Sequence, residues 1–259
     1  MHVLFVADVF GAPGCRAIAQ ELHALREELG IDFCLVNGEN ASNGAGITPK
    51  HAERILAAGA DAISLGNHVW RHKEIAPYLE QSERLVRPAN LPRSNPGRGL
   101  TVLPAVDGTP VAVVSLLGSL FMQSAGSPFE IVDELVREAS RRARVILVDF
   151  HAEATSEKVG LARWLDGRVT AVFGSHTHVQ TRDARILPGG TAAISDAGMT
   201  GPHDSVIGVR AELAIERMRT GMPVRFEPAD GDVRIEGAMV ECDENGRALR
   251  CEPVRRQVQ

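Results

Sequence analysis

The sequence is short of aromatic residues. Eight Phe, two Trp and one Tyr supply 4% of its 259 positions, so Val, Leu, Ile and Ala must fill the core and few rings are available to stack a nucleobase. Cysteine is sparse too. Cys15, Cys34, Cys242 and Cys251 form no Cys-x-x-Cys pair, which excludes a zinc knuckle and a thioredoxin-type motif and reads as a reduced protein. Cys34 lies within the apolar run Phe33–Val36, as a small core residue. Positive charge is not in excess. There are 28 Lys and Arg against 33 Asp and Glu, a net charge of −5. A general nucleic-acid binder shows a basic face, so no stable nucleic-acid complex is expected. Local basic clusters remain; one of them, Arg141-Arg142-Ala143-Arg144, suits the solvated C-terminus of a helix. No run reaches the roughly 18 apolar residues that span a bilayer. Met1 leads straight into a strand, without a secretory leader. A cytoplasmic protein with no membrane partner is the expectation.

The chain does carry a succession of β-then-α units. His2–Ala7 is a near-continuous apolar run, as in a parallel strand covered on both faces, and Asp8 ends it. A helical pattern runs from Cys15 to Leu29 and Gly30 stops it. A second strand, Ile31–Asn37, ends in Gly38-Glu39-Asn40. Thr48 and Pro49 then open a helix as cap and first residue. A third strand, Asp61–Leu65, delivers Gly66-Asn67-His68. Repetition of this unit predicts a parallel, right-handed, doubly wound sheet. A helix is expected over Arg71–Gln81, a loop over Pro88–Gly99, and strands over Gly99–Leu103 and Thr109–Leu117. A loop over Ser119–Pro128 and a helix over Phe129–Arg142 follow. The strand Arg144–Asp149 leads into His151-Ala152-Glu153. Val169–Phe173 leads into Gly174-Ser175-His176-Thr177-His178, and Gly190–Ile194 into Ser195-Asp196. Beyond Val206 the pattern predicts a helix over Arg210–Thr220 and short strands over Val224–Phe226, Val233–Val240 and Ala248–Val254, the last two joined by an Asn245-Gly246 hairpin turn. The early Gly11-x-x-Gly14 spacing is not the dinucleotide fingerprint Gly-x-Gly-x-x-Gly. Without repeats or a linker, residues 1–259 read as one domain.

The strand ends carry the chemistry. One of them finishing in a polar residue is ordinary loop composition. Here five do: Asp8, Glu39 with Asn40, Asn67 with His68, His151, and His176 with His178. Open α/β sheets bind ligands at such ends. Seven of these side chains, all but His68, are candidate ligands with oxygen or nitrogen donors and no sulfur. That set suits manganese, iron or zinc and not copper or an iron–sulfur cluster. It exceeds the three or four protein groups of a mononuclear catalytic site and fits two cations sharing a carboxylate. Such a pair holds a hydroxide and clamps a phosphoryl oxygen for in-line attack. His68 would stabilise the developing charge or protonate the leaving oxygen.

In order and spacing, Asp8, Gly66-Asn67-His68, His151 and Gly174-Ser175-His176-Thr177-His178 resemble the motif set of the calcineurin-like metallophosphoesterases. Within that superfamily, Asn37-Gly38-Glu39-Asn40-Ala41-Ser42-Asn43-Gly44, the run from Asp149 to Lys158 and the run from Asp196 to Pro202 resemble the YmdB-type branch, over essentially the whole chain. The resemblance implies a four-layer α/β/β/α sandwich with a di-metal site of iron or manganese, zinc being the alternative. Asp8, Glu39 and His178 would hold the first ion; Glu39 would bridge; Asn67, His151 and His176 would hold the second. The sequence departs from the wider superfamily where the usual Asp-x-His reads Asp8-Val9-Phe10, and Asn40 is placed to fill that vacancy. The implied activity is phosphodiester hydrolysis of 2′,3′- or 3′,5′-cyclic nucleotides.

Two other readings use the same residues: a di-metal hydrolase of a non-phosphate bond, and a non-catalytic nucleotide or RNA sensor that keeps the metals. Asp196 and Glu153 are candidates to orient a ligand histidine. His72 and His203 are weaker candidates for the site, while His23 and His51 fall on solvated helix faces and His2 starts a strand away from it. The antiparallel C-terminal region is the candidate surface for a homo-oligomer.

Overall fold

The computed structural model describes residues 1–122 and 125–258. Residues 123 and 124, within the loop expected over Ser119–Pro128, lie outside the described residues. The first half alternates as expected: β1 (His2–Val6), α1 (Gly11–Leu29), β2 (Phe33–Asn37), α2 (Pro49–Ala57), β3 (Ala62–Ser64), α3 (Ile75–Gln81) and β4 (Leu85–Val86). These four strands are parallel neighbours in chain order. The Thr48 hydroxyl accepts from the His51 amide at the start of α2, and Gly30, at φ 62°, closes α1. α1 starts at Gly11, earlier than the Cys15 expected. Pro13 is tolerated in its first turn, where amides have no helical acceptor. α3 starts later than expected, because residues 67–74 make turns instead.

A second sheet follows, from β5 (Leu100–Pro104), β6 (Pro110–Leu117), β7 (Val145–His151), β8 (Ala171–Ser175), β9 (Arg185–Ile186) and β10 (Ala192–Ile194), with α4 (Pro128–Ser140) and α5 (Thr155–Trp164) between its strands. Its order is β5-β6-β7-β8-β10-β9. The chain then returns to the first sheet with β11 (Gly201–Pro202), makes α6 (Ala211–Thr220), and completes that sheet with β12 (Val233–Cys242) and β13 (Ala248–Gln257). β12 runs antiparallel to β1 and pairs β13 in a hairpin whose turn contains Gly246 at φ 79°.

Two sheets therefore replace the single doubly wound sheet expected from the β/α alternation. Side chains alternate between layers. Leu4, Val6, Cys34 and Val36 face the helices of the first half, while Val3, Phe5, Phe33 and Leu35 pack with Val111, Val113, Leu147 and Phe173 of the second sheet. Ala112, Val114, Ile146 and Val148 face α4 and α5. The result is the α/β/β/α sandwich that the resemblance implied. Phe5 and Phe173 stack across the middle layer, with ring centroids 4.7 Å apart and planes 7° from parallel, a contact worth about 0.5–1.5 kcal/mol beyond its buried area. An apolar run buried on both faces looks the same whether helices or a second sheet cover it, so the sequence pattern alone did not separate the two architectures.

The strand expected at Val224–Phe226 does not form. Pro223 and Pro228 bracket that segment and withdraw ladder donors, so it runs outside the sheets between α6 and β12. Among the described residues, no helix is long and apolar enough to cross a membrane.

Candidate metal centre

The carboxyl ends of β1, β2 and β3 in one sheet and of β7 and β8 in the other meet at one edge of the sandwich. All seven expected ligands and His68 are brought together there. Around the position expected for the second ion, His151 Nε2 lies 3.1 Å from Glu39 Oε1, 3.1 Å from Asn67 Oδ1 and 3.1 Å from His176 Nδ1. Around the first, His178 Nε2 lies 3.9 Å from Asp8 Oδ1 and 3.1 Å from the Asn40 amide nitrogen. Glu39 sits between the groups; its Oε2 accepts from the His68 amide at 2.9 Å and its Oε1 lies 2.9 Å from His68 Nδ1.

Local folding sets the donor atoms. His178 Nδ1 donates to the Ile207 carbonyl at 2.9 Å, which leaves Nε2 with its lone pair directed at Asp8 and Asn40. His151 Nδ1 lies 2.9 Å from Ser175 Oγ, which donates to Asp149 at 2.6 Å, so Nε2 faces the centre. His176 Nε2 pairs with Glu153 at 3.1 Å, leaving Nδ1 to face inward. Glu153 is thus an orienter of His176. Asp196 also supports the site, but through the backbone: it accepts from the Thr177 amide at 3.0 Å and its hydroxyl at 2.7 Å. That turn is strained. His176 and His178 adopt φ 100° and 63°, in the left-handed region that costs a non-glycine residue about 1–3 kcal/mol, and the Asp8 carboxylate holds it by accepting from the His176 amide at 3.0 Å.

The residues fit divalent cations on several counts. The donors are oxygen and imidazole nitrogen only. Neighbouring hydrogen bonds fix all three imidazoles so that one ring nitrogen of each points inward. Gly66 is a close floor: a Cβ there would stand 2.4 Å from His151 Cδ2 and 2.5 Å from Glu39 Oε2. Charge is concentrated and buried. Burial pushes the Asp8 carboxyl up to about 6 against the pull of His151 and His178. Burial opposes ionisation of Glu39 as well, but the His151 and His68 imidazoles outweigh it and hold the carboxyl well below its usual range. His151, although burial disfavours its charge, is raised to about 9 by Glu39, Asp8 and Asp149. Burial and the neighbouring His151 lower His176 to about 3.

Phe10 occupies the place of the missing histidine. Its ring meets His178 edge-on, with centroids 5.6 Å apart. Asn40 is adjacent, with Nδ2 facing Asp8 and His178 and Oδ1 3.0 Å from His68 Nδ1. Ligation through Oδ1 requires its amide to turn over, an exchange of two nearly isosteric atoms.

The centre opens into a cavity of about 750 Å³. Its walls include Arg71, His72, Arg217, Arg225 and Phe226. Of these, only His72 stood out in the sequence. The signal that existed for the others was local: two prolines flanking Arg225 and Phe226 in an otherwise strand-like run. His203 lies elsewhere, 3.2 Å from Glu236.

The sequence matches the YmdB-like protein family over residues 4–254. It is 45% identical over 244 residues to the 2′,3′-cyclic-nucleotide 2′-phosphodiesterase of Bacillus subtilis, covering 94% of this chain and 92% of that protein. A putative phosphatase/phosphodiesterase of Mycoplasma pneumoniae is 35% identical over 260 residues, covering 97% and 92%. A crystal structure of a hypothetical protein from Thermus thermophilus superposes with a TM-score of 0.93 at 42% identity and 99% coverage of both chains. That of a phosphatase from Mycoplasma pneumoniae superposes with a TM-score of 0.92 at 35% identity, over 99% of this chain and 93% of that one. A 5′-nucleotidase precursor from Thermus thermophilus, 13% identical with a TM-score of 0.60 over 98% of this chain and 54% of that one, shares the fold alone. With its two-sheet sandwich and its cluster of oxygen and imidazole donors, the chain belongs to the YmdB-like family and is a phosphodiesterase of the metallophosphoesterase type.

Proposed function

We propose that the chain, working as one unit over residues 1–259, hydrolyses cyclic nucleotides at a two-ion centre, 2′,3′-cyclic phosphates first among them. The observation that carries this reading is the convergence of seven donors from both sheets, four of which (Glu39, Asn40, His176 and His178) line a cavity large enough for a nucleotide. Asp8, Asn40 and His178 would hold one ion, Asn67, His151 and His176 the other, and Glu39 would be shared. Manganese, iron or zinc suits this donor set. The ions supply a nucleophile at neutral pH and neutralise phosphoryl charge. The protein groups do the rest. Glu39 fixes His68 through the ring Nδ1, which leaves Nε2 for the substrate. Ring opening exchanges the P–O bond to one ribose oxygen for a P–O bond to a water-derived oxygen, and the departing ribose oxygen takes a proton from that nitrogen. Glu153 and the Ser175–Asp149 pair keep two imidazoles in the ligating tautomer throughout.

The test is elemental analysis of the purified protein together with a panel of 2′,3′- and 3′,5′-cyclic nucleotides, a phosphomonoester and an amide. Turnover of cyclic nucleotides that disappears on chelation and returns with Mn²⁺ is expected. Tight nucleotide binding without turnover would point instead to a sensor.

A further inference from the structure

Three arginines, Arg71, Arg217 and Arg225, line the same cavity as the metal-centre residues. Nearby, Arg210 pairs with Glu212 and Glu227. Among the described residues, Arg71, Arg217 and Arg225 pair with none, and the only carboxylates lining the cavity are Glu39 at the centre and Glu227, already engaged by Arg210. The Arg217 guanidinium instead lies over the Phe226 ring, 5.0 Å from its centroid, forming a flat cationic wall of the kind on which nucleobases stack. Arg217 lies in α6, and Arg225 and Phe226 in the segment that links it to β12, so all three come from outside the strand ends that carry the proposed ligands.

Charge counting then matters. A cyclic nucleotide carries a single negative charge, on the phosphodiester undergoing hydrolysis, and the two cations take that group. Nothing in such a substrate remains for Arg217 and Arg225. A cavity of about 750 Å³ also exceeds what one cyclic mononucleotide needs. Building on the proposed activity, we propose that Arg217 and Arg225 form a second anion subsite that takes a phosphoryl group on the substrate's 5′ oxygen. The preferred substrate class is then a nucleoside cyclic phosphate phosphorylated at the 5′ position. A free 5′-phosphorylated mononucleotide and the 3′ end of a short RNA both present that chemistry.

The experiment compares kcat/KM for adenosine 2′,3′-cyclic phosphate, its 5′-phosphorylated form, and the dinucleotide ApA ending in a 2′,3′-cyclic phosphate. A preference of roughly tenfold for one or both 5′-substituted substrates is expected, carried by KM and weakened by salt. The arm that wins identifies the source. In Arg217→Ala/Arg225→Ala the ratio between substrates should collapse towards one; because the ratio is taken within one preparation, partial loss of folded protein cancels. A readout without turnover is calorimetric binding of adenosine 3′,5′-bisphosphate against adenosine 3′-phosphate to the metal-free protein, where tighter binding of the bisphosphate is expected. Equal kcat/KM for all three substrates in the unmodified protein, or an unchanged ratio in the double variant, overturns the subsite. Failure of every cyclic nucleotide to turn over would overturn the activity itself, which is a separable outcome.

Discussion

Lys158 and Asp196 form a buried ion pair, 2.7 Å long, directly beneath the turn that carries His176 and His178. The same Asp196 oxygen accepts from the Thr177 amide and hydroxyl, so one carboxylate joins α5 to a strained turn. Removing one partner of a buried pair leaves the other charge desolvated. Asp196→Asn should therefore destabilise the protein by about 3–5 kcal/mol and lower bound metal, since the turn loses its anchor. Adding Lys158→Met to that variant removes the orphaned ammonium and should restore much of the melting temperature while metal content stays low. Thermal unfolding and elemental analysis read the two effects separately. Full metal retention in Asp196→Asn would deny the turn its dependence on this carboxylate.

How much of this was legible beforehand follows from the kind of signal each part leaves. Ligands at strand ends are local: Asp8, Glu39, Asn67 and His151 each sit where an apolar run stops, and a strand end can be read from its own few residues. The layer beyond the ligands is not local. Ile207 accepts from His178 across 29 positions, and Asn37 donates to Asp149 across 112. Nothing in either sequence neighbourhood marks those partners. The cavity wall failed for another reason. Val224, Arg225 and Phe226 have strand composition, and only their flanking prolines distinguish a wall from a ladder.

Gly66 packs closely against the centre. Its Cβ in Gly66→Ala would come within 2.5 Å of both His151 and Glu39, so ring and carboxylate must both shift. Displacements of about 1 Å in a positioned site cost on the order of a hundredfold in rate. Gly66→Ala should keep its circular dichroism spectrum and lose metal and turnover together. Near-normal metal content and rate in this variant would mean that the two donors are free to move.

His68 contacts Glu39 and Asn40 but is not among the seven proposed ligands. Its removal should therefore separate binding from chemistry. In His68→Ala the expected result is two retained ions and a kcat lower by about 10²–10⁴-fold, the usual contribution of a general acid. The loss should be smaller for a substrate with a good leaving group, such as a p-nitrophenyl phosphodiester, because that oxygen departs without a proton. An unchanged kcat for cyclic nucleotides would remove His68 from the reaction.

The metal-free centre stores a proton that a cation must displace. Burial alone would keep His151 neutral, yet Glu39, Asp8 and Asp149 raise it to about 9, so at pH 7 the ring is charged. A ligating imidazole must be neutral, so loading at pH 7 should release about one proton per chain. His176, lowered to about 3, is already neutral and contributes none. The sign follows: affinity should rise with pH by about tenfold per unit until His151 titrates. It should fall more steeply on the acid side, because Asp8, raised by burial to about 6, takes up a second proton there. Calorimetric titration of Mn²⁺ in buffers of different ionisation enthalpy measures that count. Release of no proton at pH 7 would show that His151 stands neutral among these carboxylates, and the steep acid limb would then be the only pH dependence left.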